Sequence, residues 1–313
     1  MGEKAIEVEN LTKVYPGGVE AVKGISFSVE KGEIFGFLGP NGAGKTTTLK
    51  ILCTLLKPTS GRAAIEHADV VERPMEVRER IGVVFQEPAL DDKLTGRENL
   101  AYHAMLYGLE RGVRERRMRE VLALVGLEEA ADRLVAEYSG GMRRKLEMAR
   151  AVMHAPRVLF LDEPTLGLDA QTRRRLWEHI AYINKAHATT HFLTTHYIEE
   201  AEALCERVAI IDRGAIKIID SPENIKRLHG KERVKLVFET PGDKERVKAL
   251  LGESSSLRIL MEREKAFEVE FPGQKADING IIALLSQAGV KVRELSLRSP
   301  SLEDVYVELT GGQ

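Results

Sequence analysis

The stretch Gly39-Pro40-Asn41-Gly42-Ala43-Gly44-Lys45-Thr46-Thr47 decides the fold, because it matches the complete phosphate-loop pattern GxxxxGK[ST]. It follows an apolar run at 34–38 that is typical of a buried strand, and a helix is predicted at 46–56. Glycines let successive backbone N–H groups face phosphate oxygens, and the helix offers its positive dipole end to the same anion. The stretch therefore predicts a nucleoside triphosphate as ligand.

Two side chains at the end of the loop make this prediction more specific. In loops of this pattern, Lys45 reaches the β- and γ-phosphates, and the hydroxyl of Thr46 is placed to ligate a magnesium ion. The geometry requires a strand before the loop and a helix after it, and the sequence predicts both.

The composition sets broad limits on the class of protein. A chain of 313 residues favours two domains, and a net charge of −2 does not favour a nucleic-acid binder or a polybasic membrane surface. The two cysteines, Cys53 and Cys205, lie in apolar contexts, and no signal-peptide pattern opens the sequence, so we expect a reducing cytoplasm. No apolar run reaches the roughly 18 residues that span a bilayer.

The first two thirds of the chain predict a layered α/β domain at 1–225. Alternating apolar residues at 5–29 favour an antiparallel layer. Apolar strands at 34–38, 81–85 and 158–161, and two more at 192–195 and 208–211, alternate with helical stretches and predict a mostly parallel sheet. One continuous helical region is predicted at 99–124; its arginine-rich run, 111–119, favours a solvated helix face over an RNA-binding face because glutamates are interleaved.

A second, smaller α+β domain is predicted at 231–313, after a change in character at 220–230. The predicted strands and helices follow a βαββαβ order, which is typical of a ferredoxin-like module. The strands are placed at 234–239, 257–261, 267–271 and 290–297, and the helices at 244–251, at 278–288 and from 302 onward.

An acidic pair ends one of the predicted parallel strands. The strand at 158–161 runs into Asp162-Glu163, and Pro164 stops it. This places one carboxylate where it can hold magnesium, directly or through water, and the next beside the γ-phosphate. An exposed acidic turn is the less favoured interpretation, since four apolar residues precede the pair. Glu163 is the candidate for the group that orients the attacking water.

A second glycine-containing helix start lies upstream of that strand. Tyr138-Ser139-Gly140-Gly141-Met142 precedes a helical run at 143–153, so its N–H groups and the Ser139 hydroxyl predict another anion site. Because the phosphate loop of the same chain does not need this site, two chains are expected to share two nucleotides.

The order of these motifs resembles that of an ATP-binding-cassette (ABC) ATPase over residues 5–220. The resemblance rests on the phosphate loop, Gln86, 138–142, 159–163, Leu168-Asp169 and His196. It implies a P-loop fold with a RecA-like core, an antiparallel β layer and a helical subdomain at about 88–155. It also implies ATP and Mg²⁺ as cofactors.

The resemblance also implies roles for individual residues. Tyr15 resembles the aromatic residue that stacks on adenine, and Gln86 the glutamine that touches magnesium and water and leads into the segment facing the membrane subunit. With Thr46 and Asp162, Gln86 would hold the metal; with Lys45, Glu163 and the switch histidine His196, it would form the catalytic set.

A further group of residues is implied to act across a dimer interface. Ser139, Gly140 and Gly141 would contact the γ-phosphate bound by the opposite chain, and Asp169 would lie at the interface itself. His187 and His191, four residues apart, are interpreted as incidental rather than as a metal site, because no carboxylate or cysteine lies near them in the sequence.

The C-terminal string 301–311 reads Ser-Leu-Glu-Asp-Val-Tyr-Val-Glu-Leu-Thr-Gly and predicts a helix with Ser301 as its N-cap and Gly311 after its end. It resembles the ending of daunorubicin-resistance-like and sodium-efflux-like exporter ATPases, whose partner is a separate ABC-2-type permease. The variant signature 138–142 and the segment 196–202 resemble the same subfamily.

The hypothesis is therefore an ATP-hydrolysing homodimer on the cytoplasmic face of the cell membrane, docked on a permease, with no nucleic-acid partner. Two alternatives are a soluble ABC ATPase of repair or translation and a regulatory module without turnover. Glu163 and His196 argue against the latter. The sequence does not identify the exported substrate.

Overall fold

The computed structural model describes residues 3–253, 258–270 and 278–311. The chain divides into two compact units, Met1–Ser221 and Pro222–Gln313, each with its own hydrophobic core. In the first unit the strands are β1 (Lys4–Tyr15), β2 (Val19–Glu30), β3 (Ile34–Leu38), β4 (Ser60–Ile65), β5 (Ala68–Asp69), β6 (Ile81–Val84), β7 (Val158–Asp162), β8 (Thr190–Thr195), β9 (Arg207–Asp212) and β10 (Ala215–Asp220). Its helices are α1 (Lys45–Leu52), α2 (Pro74–Arg80), α3 (Gly96–Leu106), α4 (Arg111–Val125), α5 (Gly140–Ala151), α6 (Ala170–His187) and α7 (Ile198–Leu204).

The central sheet has the strand order β10-β9-β3-β8-β7-β6. All neighbours within it are parallel except the β9–β10 pair, which is antiparallel. The strands β3, β7 and β8 are buried along their whole length, which explains the apolar sequences of β3 and β7. The predicted, mostly parallel sheet is confirmed, and the carboxyl ends of β3, β6, β7 and β8 meet at one edge.

The antiparallel layer predicted near the N-terminus is also confirmed, with the order β2-β1-β4-β5. Phe27 of β2 joins this layer to the central sheet, because its ring lies 5.6 Å from Phe35, 5.5 Å from Phe37 and 5.9 Å from Phe192. Phe35, Phe37 and Phe192 are fully buried, and each such ring contributes about 1.5–3 kcal/mol of burial free energy. The cluster therefore fixes β3, and with it the loop that follows.

The continuous helix predicted at 99–124 is wrong. The structure has two helices, α3 and α4, because α3 ends at Leu106 and Gly108 takes the left-handed value φ = +68°. Helix α3 begins with a complete capping box between Thr95 and Glu98. The helix predicted at 46–56 is shorter than expected and ends at Leu52.

The second unit contains α8 (Pro222–His229), β11 (Arg233–Phe238), α9 (Pro241–Glu253), β12 (Arg258–Arg263), β13 (Ala266–Glu270), α10 (Ile278–Gln287), β14 (Val292–Arg298) and α11 (Leu302–Thr310). Its sheet has the order β12-β13-β11-β14, with every neighbouring pair antiparallel. From β11 onward this is the predicted βαββαβ order. Residues 257 and 271, predicted as strand ends, lie outside the described residues.

The last helix is capped as the sequence predicts. Ser301 and Asp304 form a capping box at the start of α11, and Gly311 ends it at φ = +75°. In the part of the chain that the structure describes, no helix combines the length and the apolar character that crossing a bilayer requires.

His191 is a buried histidine in the middle of the central sheet, and it makes the first unit sensitive to acid. Its side chain is 0% exposed, neither ring nitrogen has a hydrogen-bond partner, and burial lowers its pKa from 6.5 to about 3. Between these two pKa values the unfolded chain binds the extra proton, so the free energy of unfolding falls as the pH falls below about 6.5.

We therefore expect His191→Leu to leave the free energy of unfolding at pH 7.5 unchanged or to raise it. Between pH 7.5 and pH 5, the free energy of unfolding of the variant should fall by about 2 kcal/mol less than that of the wild type. Urea denaturation at the two pH values measures both effects. His229→Leu, at an exposed position in α8, is the control and should keep the wild-type pH dependence. An equal loss in His191→Leu and wild type would contradict this explanation.

Candidate functional site

The loop between β3 and α1 is shaped by glycines whose positions exclude a larger residue. A Cβ atom on Gly39 would lie 2.3 Å from the carbonyl oxygen of Ile211, and one on Gly44 would lie 2.4 Å from that of Ala21. Gly44 also has φ = +104°, in the left-handed region. The loop can therefore wrap closely around a ligand at the N-terminus of α1, which is a favourable place for an anion.

This loop forms one wall of a cavity of about 530 Å³. The cavity is lined by Tyr15, Val19, Ala21, Asn41, Gly42, Gly44, Lys45, Thr46, Thr47, Gln86, Glu163, Leu166 and His196. Residues from β1, α1 and the ends of β6, β7 and β8 thus share one space. A cavity of this size suits a small-molecule ligand.

Lys45 is buried and fully engaged. Its Nζ donates to the carbonyl oxygens of Gly39, at 2.8 Å, and Pro40, at 3.1 Å, and it lies 3.3 Å from Oε1 of Glu163. Burial lowers the pKa of Lys45, and the Glu163 carboxylate opposes that effect. The ammonium group therefore stands at the floor of the cavity with a carboxylate as its counter-ion.

Asp162 and Thr46 place oxygen atoms next to the lysine. The hydroxyl of Thr46 donates to Oδ1 of Asp162 at 3.2 Å, and the hydroxyl of Thr194 donates to the same oxygen at 2.5 Å. Hydroxyl, carboxylate and amide oxygens are the ligands that Mg²⁺ accepts, usually together with water and substrate phosphates. This donor set, with Gln86 on the same cavity wall, fits a magnesium-bound triphosphate.

Glu163 has a left-handed backbone, with φ = +46°. Its N–H group donates to the carbonyl oxygen of Thr194 at 3.0 Å and to the Thr194 hydroxyl at 3.2 Å. Its carboxylate lies between Lys45 and His196, whose Nδ1 is 3.0 Å from Oε2. Because a carboxylate only accepts hydrogen bonds, Nδ1 of His196 carries the proton in this contact.

Tyr15 lies at the end of β1, with its hydroxyl 3.3 Å from that of Thr47. Its ring is on the cavity wall, two residues from Lys13, whose ammonium lies 5.6 Å from the ring centroid. Gln86 follows β6 by two residues and also lines the cavity.

The structure does not bring the second predicted anion site into this cavity. Ser139 caps α5 by accepting a hydrogen bond from the backbone N–H of Met142 at 3.3 Å, and Ser139 and Gly140 are exposed. A Cβ atom on Gly140 would meet no atom of its own chain within 4 Å, whereas one on Gly141 would lie 2.9 Å from Thr172. The packing of its own chain therefore does not explain the glycine at 140.

Asp169 is likewise exposed and lies outside the cavity. Its Oδ1 accepts from the backbone N–H groups of Gln171 and Thr172, both at 2.9 Å, and these bonds cap α6. The side-chain and backbone hydrogen bonds from Thr172 lower its pKa. Within one chain, Asp169 is a helix cap.

Sequence reasoning missed two residues that hold this centre together. Thr194, near the carboxyl end of the buried strand β8, bonds both Asp162 and Glu163, and Arg144, on α5, donates to the backbone oxygens of residues 162–164. A threonine inside a buried run and a charged pair at i, i+3 in Arg144 and Glu147 were the available signals. Neither signal says which backbone groups the side chain meets.

No cluster of three or more histidine, cysteine, aspartate or glutamate side chains suited to a metal occurs among the residues described. His191 lies in β8 with both ring nitrogens unpartnered, and His187 ends α6.

Comparison with known families gives two matches that together cover most of the chain. Residues 22–166 match the family model described as ABC transporter. Residues 221–310 match the model described as ATP-binding protein DrrA1-3-like, C-terminal domain.

Similar proteins align over almost the whole length. The daunorubicin resistance ATP-binding protein DrrA2 of Streptomyces coeruleorubidus is 40% identical over 98% of this chain and 95% of its own. The linearmycin resistance ATP-binding protein LnrL of Bacillus subtilis is 35% identical over 98% of both chains. A fluoroquinolones export ATP-binding protein of Mycobacterium tuberculosis is 38% identical over 100% of this chain and 95% of its own.

Solved structures of ATP-binding cassettes share the fold. CbiO1 of Clostridium perfringens, part of the transporter complex cbiONQ, has a TM-score of 0.67 at 28% identity and covers 71% of this chain and 90% of its own. The cassette MJ0796, in a dimeric post-hydrolysis state with ADP and Pi, has a TM-score of 0.62 at 29% identity, with 69% and 98% covered.

These matches confirm the predicted resemblance, the P-loop fold and the ATPase class, and the chain therefore belongs to the ATP-binding proteins of the ABC transporter family, in the group that includes the DrrA proteins.

Proposed function

We propose that this chain is the ATPase subunit of an exporter, that it works as a homodimer with ATP at the interface, and that it docks on a separate ABC-2-type permease. The observation that carries the proposal is the convergence of Lys45, Asp162, Glu163 and His196 at one edge of the central sheet. The relatives named for resistance or export support a role in transport.

In this proposal the loop 39–47 binds the triphosphate and Tyr15 stacks on the adenine. Thr46, Asp162 and Gln86 hold Mg²⁺, which neutralises charge on the β- and γ-phosphates when it is bound. Lys45 exchanges its carbonyl and carboxylate contacts for phosphate oxygens, because these carry more negative charge. The exchange releases the Glu163 carboxylate from its counter-ion.

Glu163 then accepts a hydrogen bond from the attacking water and orients it toward the γ-phosphate. His196 holds the other carboxylate oxygen through Nδ1–H, so its Nε2 faces away from Glu163; Nε2 donates to a γ-phosphate oxygen when both ring nitrogens carry a proton and otherwise accepts from the water. In this proposal Glu163 positions the water, and His196 holds Glu163 in place and contacts the γ-phosphate or the water.

Ser139, Gly140 and Gly141 are proposed to contact the γ-phosphate bound by the partner chain, with Asp169 at the interface. Gly140 supports this, since it is exposed and its own chain leaves room for a side chain there. A glycine at such a position suits the close approach of another molecule to the backbone. The dimeric cassette structures among the neighbours supply the precedent.

A second cavity, of about 200 Å³, supports a docking site for the permease. It is lined in part by Phe85, which precedes Gln86, and by Arg78 and Arg150, with no aspartate or glutamate in the lining. Within the described part of the chain neither guanidinium forms an ion pair with a carboxylate. The elements around this cavity also expose large apolar side chains, namely Leu55, Met75, Tyr102, Met105 and Leu106.

The occupant that fits this chemistry is a cytoplasmic segment of the permease that presents one acidic side chain among apolar ones. Docking there would hold the chain on the cytoplasmic face of the membrane. The relatives are named for chemically unlike compounds, so we place the choice of exported compound in the permease. A soluble ATPase of repair or translation is not favoured, because the relatives named for resistance and export align over nearly the whole chain.

The central prediction concerns Glu163→Gln, which keeps the shape of the side chain and removes the charge that polarises water. We expect the steady-state rate of phosphate release to fall at least 100-fold while ATP binding persists and an ATP-bound dimer accumulates. Malachite-green assays and size-exclusion chromatography with ATP measure these effects. Glu199→Gln, at an exposed position in α7, is the control and should hydrolyse ATP normally. Hydrolysis at the wild-type rate in Glu163→Gln would remove Glu163 from this role.

The docking site is tested with Arg150→Glu, which reverses the charge in the cavity. We expect at least 10-fold weaker binding to the partner permease, measured with the purified permease in nanodiscs, and unchanged basal ATP hydrolysis. Leu106→Ser, at an exposed apolar position, should weaken binding without reversing a buried charge. Arg119→Glu, an exposed position on α4, is the matched control. Wild-type affinity in both Arg150→Glu and Leu106→Ser would contradict the proposed surface.

A further inference from the structure

Arg144 is a buried arginine whose guanidinium group is used almost entirely on backbone oxygens. Its side chain lies on α5, five residues after the Ser139 cap, and the residue is 8% exposed. Nε donates to the carbonyl of Pro164 at 2.7 Å, and Nη2 donates to those of Asp162, at 3.1 Å, and Glu163, at 3.2 Å. One side chain thus binds three consecutive carbonyl groups around the candidate catalytic carboxylate.

The same guanidinium also reaches the segment that follows β6. Its Nη1 donates to the carbonyl of Phe85 at 2.5 Å and to Oε2 of Glu147 at 3.0 Å. Glu147 is 1% exposed, and its Oε1 accepts from the backbone N–H of Ala89 at 2.9 Å. The Arg144–Glu147 pair therefore connects three parts of the first unit: α5, residues 85–89 and residues 162–164.

The stability of the protein does not by itself account for such a pair. Taking two charges out of water costs several kcal/mol per ion, and apolar replacements of similar volume are often neutral or stabilising. A planar guanidinium with five donors is, however, the only side chain that can bind this many acceptors in fixed directions. The guanidinium therefore fixes the directions of the backbone carbonyl groups that it binds, which an apolar pair would not do.

The backbone of Glu163 is where that geometry matters most. A left-handed conformation at a residue other than glycine costs on the order of 1–2 kcal/mol and persists only when the surroundings hold it. At Glu163, with φ = +46°, Thr194 binds the N–H group and Arg144 binds the carbonyl. The same carbonyl also accepts from the backbone N–H of Leu166 at 3.1 Å, so without Arg144 it keeps only one of its two hydrogen bonds.

We propose that Arg144 is a positioning residue for ATP hydrolysis, which places the Glu163 carboxylate and, through Glu147, links its position to residues 85–89. The inference rests on the proposed role of Glu163 as the group that orients water. It adds a regulatory route, because Phe85 also lines the proposed docking cavity. A partner bound there can alter the position of residues 85–89, and the shared guanidinium carries that change to Glu163.

The test separates positioning from stability by comparing kcat, the Kd for ATP and the melting temperature. Arg144→Lys keeps the charge near Glu147 but cannot bind four carbonyl groups in these directions, so we expect kcat to fall at least 10-fold while the Kd for ATP changes less than about 2-fold. Arg117→Lys is the matched control. Arg117 also donates to two backbone carbonyls, of Val152 and Met153, and pairs at i, i+3 with Glu120, but it does not contact residues 162–164. It should lose stability and keep kcat.

The double variant Arg144→Met/Glu147→Leu removes the buried charges together. We expect it to melt at a higher temperature than the single variant Arg144→Met, which leaves Glu147 buried without a counter-ion, and to keep the low kcat, because apolar packing replaces the pair but not its bonds to the 162–164 backbone. Recovery of both quantities would show a purely structural role and overturn the inference. If Arg144→Lys hydrolyses ATP at the wild-type rate, the inference fails as well.

Failure of the inference can be distinguished from failure of the proposed function. An inactive Glu163→Gln together with a fully active Arg144→Lys would leave the role of Glu163 intact and reject positioning by Arg144. An active Glu163→Gln would reject the proposed function itself. Residual activity in Glu163→Gln should fall less than about 2-fold on adding Arg144→Lys, because both changes act on the same carboxylate.

Discussion

Glu163 occupies a left-handed backbone conformation at the carboxyl end of β7, and this conformation turns its carboxylate toward Lys45 and His196. The carboxylate is a buried anion, so it needs the lysine beside it, and the lysine is in turn held by the carbonyl groups of the phosphate loop. The phosphate loop, the end of β7 and His196 are therefore held together by one chain of polar contacts. A phosphate that enters the loop competes with Glu163 for the ammonium group of Lys45.

The parallel sheet explains why the contacts can form at all. The strands β3, β6, β7 and β8 run in the same direction, so the residues that follow them arrive at one edge, although they are far apart in the sequence. The aromatic cluster around Phe27 fixes β3 against the antiparallel layer. In the proposed function, nucleotide binding and the response to a partner both depend on this edge, since Phe85 and Gln86 follow β6, the strand next to β7.

Much of this arrangement could be predicted from the sequence, because the motifs sit at strand ends and the carboxyl ends of parallel strands converge. Apolar runs before the phosphate loop and before Asp162 were sufficient to place Lys45 and Glu163 together. The break at Gly108 was missed because helical periodicity continues on both sides of it, and one glycine does not by itself end a helix. Arg144 was missed for another reason. Its partners are backbone carbonyl groups, and no sequence pattern records which carbonyls a buried guanidinium will meet.

The central claim is that each nucleotide lies between Lys45 of one chain and the Ser139 end of α5 in the partner. Mixing a Lys45→Ala chain with a Ser139→Arg chain tests it most directly. One site of the mixed dimer then combines both lesions and the other combines two intact halves, so ATP-dependent dimer and part of the hydrolysis should reappear, although each variant alone lacks both. Full activity of either variant alone, or no recovery on mixing while both chains remain folded, would contradict a site shared between two chains.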